Sequence, residues 1–370
     1  MTLNILVQAC STFGLGFASY YFLTRGVLFY KVMVIWAISP LMSIPIVFLP
    51  QSWNIRRYMR LGLLGFTGMS LSLIFFNDYS FVLYGVCYGI ALGCFWVSFN
   101  YVFFRSSGST RYARDSSIYF ILGPLIGIVL PPLCAVIISD LGFRALFLLT
   151  AGLSLLPLIY LQRPDFDGVM TSSFAEADKA FSGLRLITFY DGALHFFQGN
   201  FLAIYVLLFL KTDLEVGGLL SYLALTSLLA SFLVSYLSDR FRRRVSILFP
   251  LLLVMAVLIA VIPAIKSLSV LILVIGVYAI LDNLSLPVRF AVPMDVVDTD
   301  IGFWRASEFY GNLGRTVLFG LAALSLYAGN QWLPFILFAL MTFSFPFIIR
   351  SKIAGLRGSI AATEAGRTLA

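Results

Sequence analysis

Apolar residues along the chain are grouped into runs of about 20, separated by short polar segments. A helix of about 20 residues crosses a hydrocarbon core of about 30 Å, whereas a membrane β-barrel would show alternating strands of about 10 residues. The pattern therefore predicts twelve membrane-spanning helices. They are expected at 4–23, 32–50, 61–77, 81–104, 117–139, 144–161, 186–210, 216–237, 246–264, 268–288, 306–327 and 332–349.

One polar segment, "QRPDFDGVMTSSFAEADKAFSGLR", is much longer than the other connections and lies between the sixth and seventh predicted helices. Six predicted helices precede this segment and six follow it. We therefore expect a first six-helix bundle at 1–161, a cytoplasmic linker at 162–185, a second bundle at 186–349 and a cytoplasmic tail at 350–370.

The composition supports a membrane protein: 60% of residues are hydrophobic, 11% are charged, and the mean hydropathy is +0.96. A soluble domain of this length could not hide so much apolar surface from water. The expected fold class is an all-α polytopic protein in a lipid bilayer. The four cysteines lie in apolar runs without metal-ligand spacing, and no cofactor or metal is expected.

Basic residues are distributed unevenly across the predicted membrane. If the N-terminus is cytoplasmic, 19 of the 25 Lys and Arg residues fall on that side and 5 on the other. Because cytoplasmic loops are enriched in basic residues, both termini are expected in the cytoplasm, in a prokaryotic inner or plasma membrane. This orientation accounts for the net charge of +8 without a nucleic-acid partner.

The two halves repeat short patterns. "RDSSIYFILGPLIGIVL" from Arg114 matches "RASEFYGNLGRTVLFGL" from Arg305, and "SWNIRR" from Ser52 matches "SDRFRR" from Ser238. The offsets, 191 and 186, are close to half of the 370 residues. Two pseudo-symmetric bundles follow, and transporters built from such repeats hold their substrate between them near the midplane.

Twelve spans in a 6+6 arrangement, a central loop and "SYLSDRFRRR" after the eighth span resemble the major facilitator superfamily. The loop matches the superfamily's Gly-x-x-x-Asp-Arg-x-Gly-Arg-Arg motif at Asp239, Arg240 and Arg243, although Ser235 stands where a glycine is usual. The resemblance implies a gate in which Asp239 pairs with Arg289 and breaks when the cytoplasmic side opens. Alternatively, the arginines serve only to orient the chain in the membrane.

Polar residues interrupt the seventh span at "FYDGALHFFQGN". At 100° per residue, Asp191, His195 and Gln198 lie within about 60° on one helix face. Ionisable groups in a membrane usually face a water-filled path or a partner. We therefore expect this stripe to bind substrate or protons. The alternative is an Asp191–His195 pair within the helix that only stabilises packing.

The resemblance implies that spans one, four, seven and ten line a central cavity, and polar residues occur on each of them. The further expected substrate- or proton-binding residues are Gln8, Thr12, Asn100, Tyr278, Asp282 and Asn283. The eleventh span carries Glu308, Asn312 and Arg315 on one face. There we expect a gating salt bridge between helices, with substrate contact as the alternative.

These features predict a secondary active transporter that moves a small solute by alternating access, coupled to protons and acting as a monomer. Enzyme motifs such as a Walker loop or a serine elbow do not occur. "GPLIGIVLPP" in span five partly resembles a motif of drug–proton antiporters and slightly favours efflux. The alternative is a membrane sensor or scaffold that does not transport.

Overall fold

Helices form nearly all of the regular structure in a computed structural model of the chain. It describes residues 2–48, 54–104, 112–163, 166, 168, 173–238, 244–294, 296–297 and 300–368. Twelve long helices can be traced through these residues. They are α1 (Thr2–Thr24), α2 (Phe29–Phe48), α3 (Ile55–Ile74), α4 (Ser80–Phe104), α5 (112–141), α6 (143–160), α7 (185–207), α8 (Asp213–Ser238), α9 (244–264), α10 (Leu268–Met294), α11 (Ile301–Tyr327) and α12 (Leu333–Thr368).

The boundary between α5 and α6 is a single residue. Gly142 has φ 80° and ψ 167° inside an otherwise continuous helical stretch. A positive φ is accessible to glycine because it has no Cβ. The chain therefore reverses direction there with almost no loop.

Seven stretches of the described residues are long and apolar enough to span a membrane by length and composition, and α5 and α6 count as one of them. Helices α3, α7 and α11 carry charged side chains that lower their hydropathy, and the described side chains of α9 begin at Leu248. The prediction of an all-helical twelve-span protein is confirmed.

Helix pairing in the first half (α1–α6) is repeated in the second half (α7–α12). Contacts between α2 and α4, and between α3 and α4, correspond to those of α8 with α10 and α9 with α10. Cys134 on α5 donates a hydrogen bond to the Phe13 carbonyl of α1, which links these two helices. The corresponding helices of the second half, α11 and α7, are also in contact. The two six-helix halves are thus pseudo-symmetric.

The halves meet most extensively at two helix pairs, α2 with α11 and α5 with α8. On the first, Asn312 Nδ2 donates to Ser43 Oγ at 2.6 Å, and Arg305 donates to the Val47 carbonyl. On the second, Ser221 Oγ donates to the Ile128 carbonyl at 2.7 Å.

The linker is tied to the second half near the start of α7. Its short helix, Phe174–Ala180, carries Asp178, which accepts a hydrogen bond from Tyr310 of α11 at 2.6 Å. The same carboxylate forms a salt bridge with Arg185 at 2.5 Å. We call the end of the protein that carries this linker the linker face.

Glycines allow several helices to approach closely. On α4, Gly85, Gly89 and Gly93 pack against α2, and a Cβ on Gly93 would lie 2.9 Å from Ser43 Oγ. The sequence predicts such a packing face at these glycines, because they recur every four residues. On α7, a Cβ at Gly192 would collide with the backbone of Gly311 on α11.

We expect Gly192→Ala to destabilise the protein by about 1–3 kcal/mol, because the added methyl meets backbone that cannot move aside cheaply. Gly320→Ala on α11 is the matched control, since a Cβ there has nothing within 4 Å among the described residues. Thermal unfolding of the purified proteins measures both. Equal melting temperatures for Gly192→Ala and wild type would contradict the close approach.

Candidate functional site

A cavity of about 340 Å³ lies between the two halves. Six helices line it: α1, α4 and α5 from the first half and α7, α10 and α11 from the second. Most of the lining residues lie in the half of each helix nearer the linker face, and Tyr88 of α4 lies in the other half. Counting about 1.5 Å per residue from Arg185 places His195 about 15 Å along α7.

The two walls of the cavity differ in charge. Among the described lining residues, the first half contributes Gln8 and Asn100 with aromatic and aliphatic side chains, and no charged residue. The second half contributes Asp191, His195 and the pair Glu308 and Arg315. The carboxylates, the histidine and the arginine described in this lining therefore all lie on α7 and α11.

Helix α7 places Asp191 and His195 one turn apart, and both line the cavity. The sequence predicted this shared face. The Asp191–His195 pair does not form among the described residues. His195 instead faces Phe120 of α5, with ring centroids 6.1 Å apart.

Asp191 pairs with an arginine on the neighbouring helix α10. Its Oδ1 lies 3.4 Å from Arg289 Nη1, without a hydrogen bond, and 18% of its side chain is exposed. Arg289 Nη2 donates to Asp282 Oδ1 at 2.6 Å, and the guanidinium is completely buried. A single arginine thus lies between two carboxylates.

A second ionic cluster lies along α11. Arg315 Nη1 contacts Glu308 Oε1 at 3.2 Å and Asn312 Oδ1 at 2.6 Å. Its Nε donates to the Gly192 carbonyl at 3.3 Å, and the guanidinium lies 4.4 Å from the centre of the Phe196 ring. The Glu308–Arg315 bridge lies within one helix, and both residues line the cavity, so the expected gating bridge between helices stays a prediction.

A sequence profile described as the Major Facilitator Superfamily matches residues 31–302. The chain belongs to this superfamily.

Solved structures of superfamily transporters share the fold at low sequence identity. The E. coli fucose:proton symporter FucP aligns with a TM-score of 0.68 at 13% identity, covering 95% of this chain and 98% of its own. A POT family transporter in complex with 5-aminolevulinic acid aligns with a TM-score of 0.67 at 15% identity, covering 96% of each chain. The human organic anion transporter MFSD10 aligns with a TM-score of 0.63 at 14% identity, covering 94% of this chain and 97% of its own. No curated protein sequence matches this chain.

Several predicted site residues lie away from the cavity of this superfamily member. Asp282 and Tyr278 are buried behind the α10 surface, and Tyr278 packs on Phe197 with centroids 5.7 Å apart. Thr12 is half-buried on α1 outside the lining. These three side chains are not among the residues that line the cavity, and their role in binding stays a prediction.

Gln198 also leaves the predicted stripe. Residues Phe197–Leu202 form a π-helical segment, whose wider turn changes the register of α7. Gln198 Oε1 accepts a hydrogen bond from Asn283 Nδ2 at 3.2 Å and does not line the cavity. Asn283 does line it, as predicted. Gln198 therefore supports a lining residue.

Sequence reasoning missed most of the aromatic wall. On α4, Tyr88, Leu92, Trp96 and Asn100 all line the cavity at intervals of four. In a regular helix such positions drift by about 40° per step. The π-helical segment Ala91–Trp96 widens the turn and keeps them on one face. The interval of four residues between these positions is the sequence pattern that could have indicated their shared face.

Aromatic side chains bridge the halves on both sides of the cavity. Toward the linker face, Phe104 stacks on Trp304 at 5.3 Å and Tyr119 on Phe290 at 6.2 Å. At the other end, Phe196 of α7 packs against Tyr88 at 6.5 Å. These contacts must separate for a solute to enter or leave.

The predicted gate residues Asp239, Arg240 and Arg243 lie outside the described residues, so the pairing of Asp239 with Arg289 stays a prediction. Among the described residues, the carboxylate partners of Arg289 are Asp282 and Asp191.

Arg289→Met should lower the free energy of unfolding by about 3–5 kcal/mol, because it leaves two carboxylates buried without a counter-charge. Adding Asp282→Asn should recover part of the loss by removing one of them. Differential scanning fluorimetry of the purified protein measures both variants. Arg144→Met, at an exposed arginine on α6, is the control. If Arg289→Met unfolds at the wild-type temperature, the ion pairs of Arg289 with Asp282 and Asp191 do not stabilise the fold.

Proposed function

We propose that the protein is a proton-coupled secondary transporter that binds a small solute in the cavity between its halves. The observation that carries this proposal is the shared cavity, in which one wall is neutral and aromatic and the other is ionisable. Pockets of this size bind small molecules, with a few polar groups fixing the ligand's orientation. The superfamily membership of the chain supports the same function.

Alternating access would require the halves to rock about the helix pairs α2–α11 and α5–α8. Aromatic pairs on α2 and α11 lie at opposite ends of this interface: Tyr30 with Tyr327 at 5.3 Å, and Phe48 with Phe309 at 5.8 Å. Small apolar contacts of this kind separate at modest cost, whereas an extensive buried salt-bridge network would hold both ends shut.

Proton coupling is supported by the position of Asp191 and His195 on the cavity wall. Both side chains gain or lose a proton when their surroundings change from wet to closed. Gly123 and Pro124, from the stretch that resembles antiporter motifs, also line the cavity. We therefore favour export of the solute in exchange for protons, by a monomer in the bilayer, with both termini in the cytoplasm.

Spin labels at positions 30 and 327, and separately at 48 and 309, should report opposite movements of the two ends. In liposomes we expect two populations, each with a long distance at one end and a short distance at the other. Pulsed electron paramagnetic resonance measures these distances. One unchanging distance at both pairs, at every pH and with every solute tried, would argue for a static scaffold instead.

Proteoliposomes containing a pH-sensitive dye should show proton movement when a transported solute is added outside. A panel of organic cations, organic anions, sugars and peptides supplies candidate solutes. Asp191→Asn should abolish solute-driven proton movement, because it removes a titratable group that lines the cavity. Asp140→Asn, at an exposed end of α5, is the matched control and should behave as wild type. Retained proton movement in Asp191→Asn would exclude this carboxylate from coupling.

A further inference from the structure

The charged groups around Asp191 do not balance among the described residues. Within the described parts of α7, α10 and α11, the cavity wall and the layer behind it hold three carboxylates: Asp191, Asp282 and Glu308. Two guanidinium groups pair with them, those of Arg289 and Arg315. Arg305 is also buried on α11, but it donates to the Val47 carbonyl of α2 instead. The described residues of the first half add no charge to the cavity lining. These five groups therefore carry one negative charge in excess when His195 is neutral.

The excess is located at Asp191. Glu308 is matched by Arg315, and Asp282 holds the short hydrogen bond from Arg289. Asp191 shares the same Arg289 at a longer distance, and its Oδ1 is buried without a hydrogen bond. Because an uncompensated charge in a membrane interior is costly, Asp191 requires a positive partner from the cavity side.

The charged hydrogen-bond donor among the described lining residues is already engaged, which disfavours an anionic ligand. Arg315 is the cavity's guanidinium, and it contacts Glu308, Asn312 and the Gly192 carbonyl while lying over the Phe196 ring. An incoming carboxylate would have to displace Glu308. Among the described lining residues, the cavity therefore offers a ligand an incompletely paired carboxylate, Asp191, and a guanidinium that is already paired.

The aromatic wall suits a cation with an apolar body. Tyr88, Trp96, Phe120 and Phe196 line the same cavity as Asp191. Aromatic faces attract cations within about 6 Å and also pack against flat apolar groups. These rings offer a second kind of contact to the same ligand.

We propose that the solute is an organic cation, an ammonium group on an apolar or aromatic body, with Asp191 as its counter-ion. This proposal rests on the proposed transport function and names its substrate class. A proton and the ammonium group would neutralise the same carboxylate, so binding of one releases the other. That competition gives exchange of one cation for one proton with no other ion required.

Three probes with one skeleton test the charge preference: phenethylamine, phenylacetate and 2-phenylethanol, which are cationic, anionic and neutral at pH 7. Isothermal titration of each into purified full-length protein measures binding. We expect phenethylamine to bind more tightly than the other two. Asp191→Asn should weaken phenethylamine binding by about tenfold to a hundredfold, the effect of losing a charge-assisted hydrogen bond. Asp140→Asn should leave binding unchanged.

Lowering the pH should weaken phenethylamine binding by the same competition. Other ionisable groups around Asp191 are His195 on its own helix, Arg289 and Asp282 on α10, and Glu308 and Arg315 on α11. His195→Gln should keep the pH dependence, whereas Asp191→Asn should lose it. Loss of the pH dependence in His195→Gln alone would assign the competition to the histidine and overturn the role of Asp191.

Failure of phenethylamine to bind, or equal or tighter binding of phenylacetate or 2-phenylethanol, would overturn the cation proposal. Spin-label distances that still alternate, with proton movement driven by another solute class, would then leave the transport function intact. Fixed distances and no proton movement with any solute would reject the transport function itself.

Discussion

A buried guanidinium held between two carboxylates is the interaction on which the second half depends. Arg289 is surrounded by packed helices, and its neutralisation relies on Asp282 and Asp191. Removing ions from water costs several kcal/mol each, and only close pairing offsets this cost. The charges therefore fix how α7 lies against α10, and they leave one carboxylate incompletely matched on the cavity wall.

Small residues complement this ionic constraint on the other side of α7. Gly192 and Gly311 allow α7 and α11 to touch through their backbones, which brings Arg315 within reach of the Gly192 carbonyl. The same proximity places the guanidinium over Phe196. Close packing and charge placement are thus coupled: wider spacing of the two helices would separate Arg315 from both partners.

Much of the architecture could be predicted from the sequence because lipid imposes a simple rule of helix length and hydropathy. The glycine face of α4 and the shared face of Asp191 and His195 follow from regular helical periodicity. Gln198 lies in a π-helical segment and accepts a hydrogen bond from Asn283 instead of lining the cavity, and periodicity alone does not reveal such a segment. The ion pairs of Arg289 and Arg315 depend on which helices become neighbours and how they rotate, and one sequence does not specify this.

The π-helical turns in α4 and α7 have a consequence for how the chain tolerates length changes. Each wide turn accommodates one more residue than a regular helix would over the same rise. Deleting one residue from Ala91–Trp96 would restore the ordinary spiral and rotate the rest of α4 by about 100°. Asn100 would then turn away from the cavity, and Phe104 away from Trp304. The number of residues in these two segments, as much as their identity, therefore determines which side chains face the cavity.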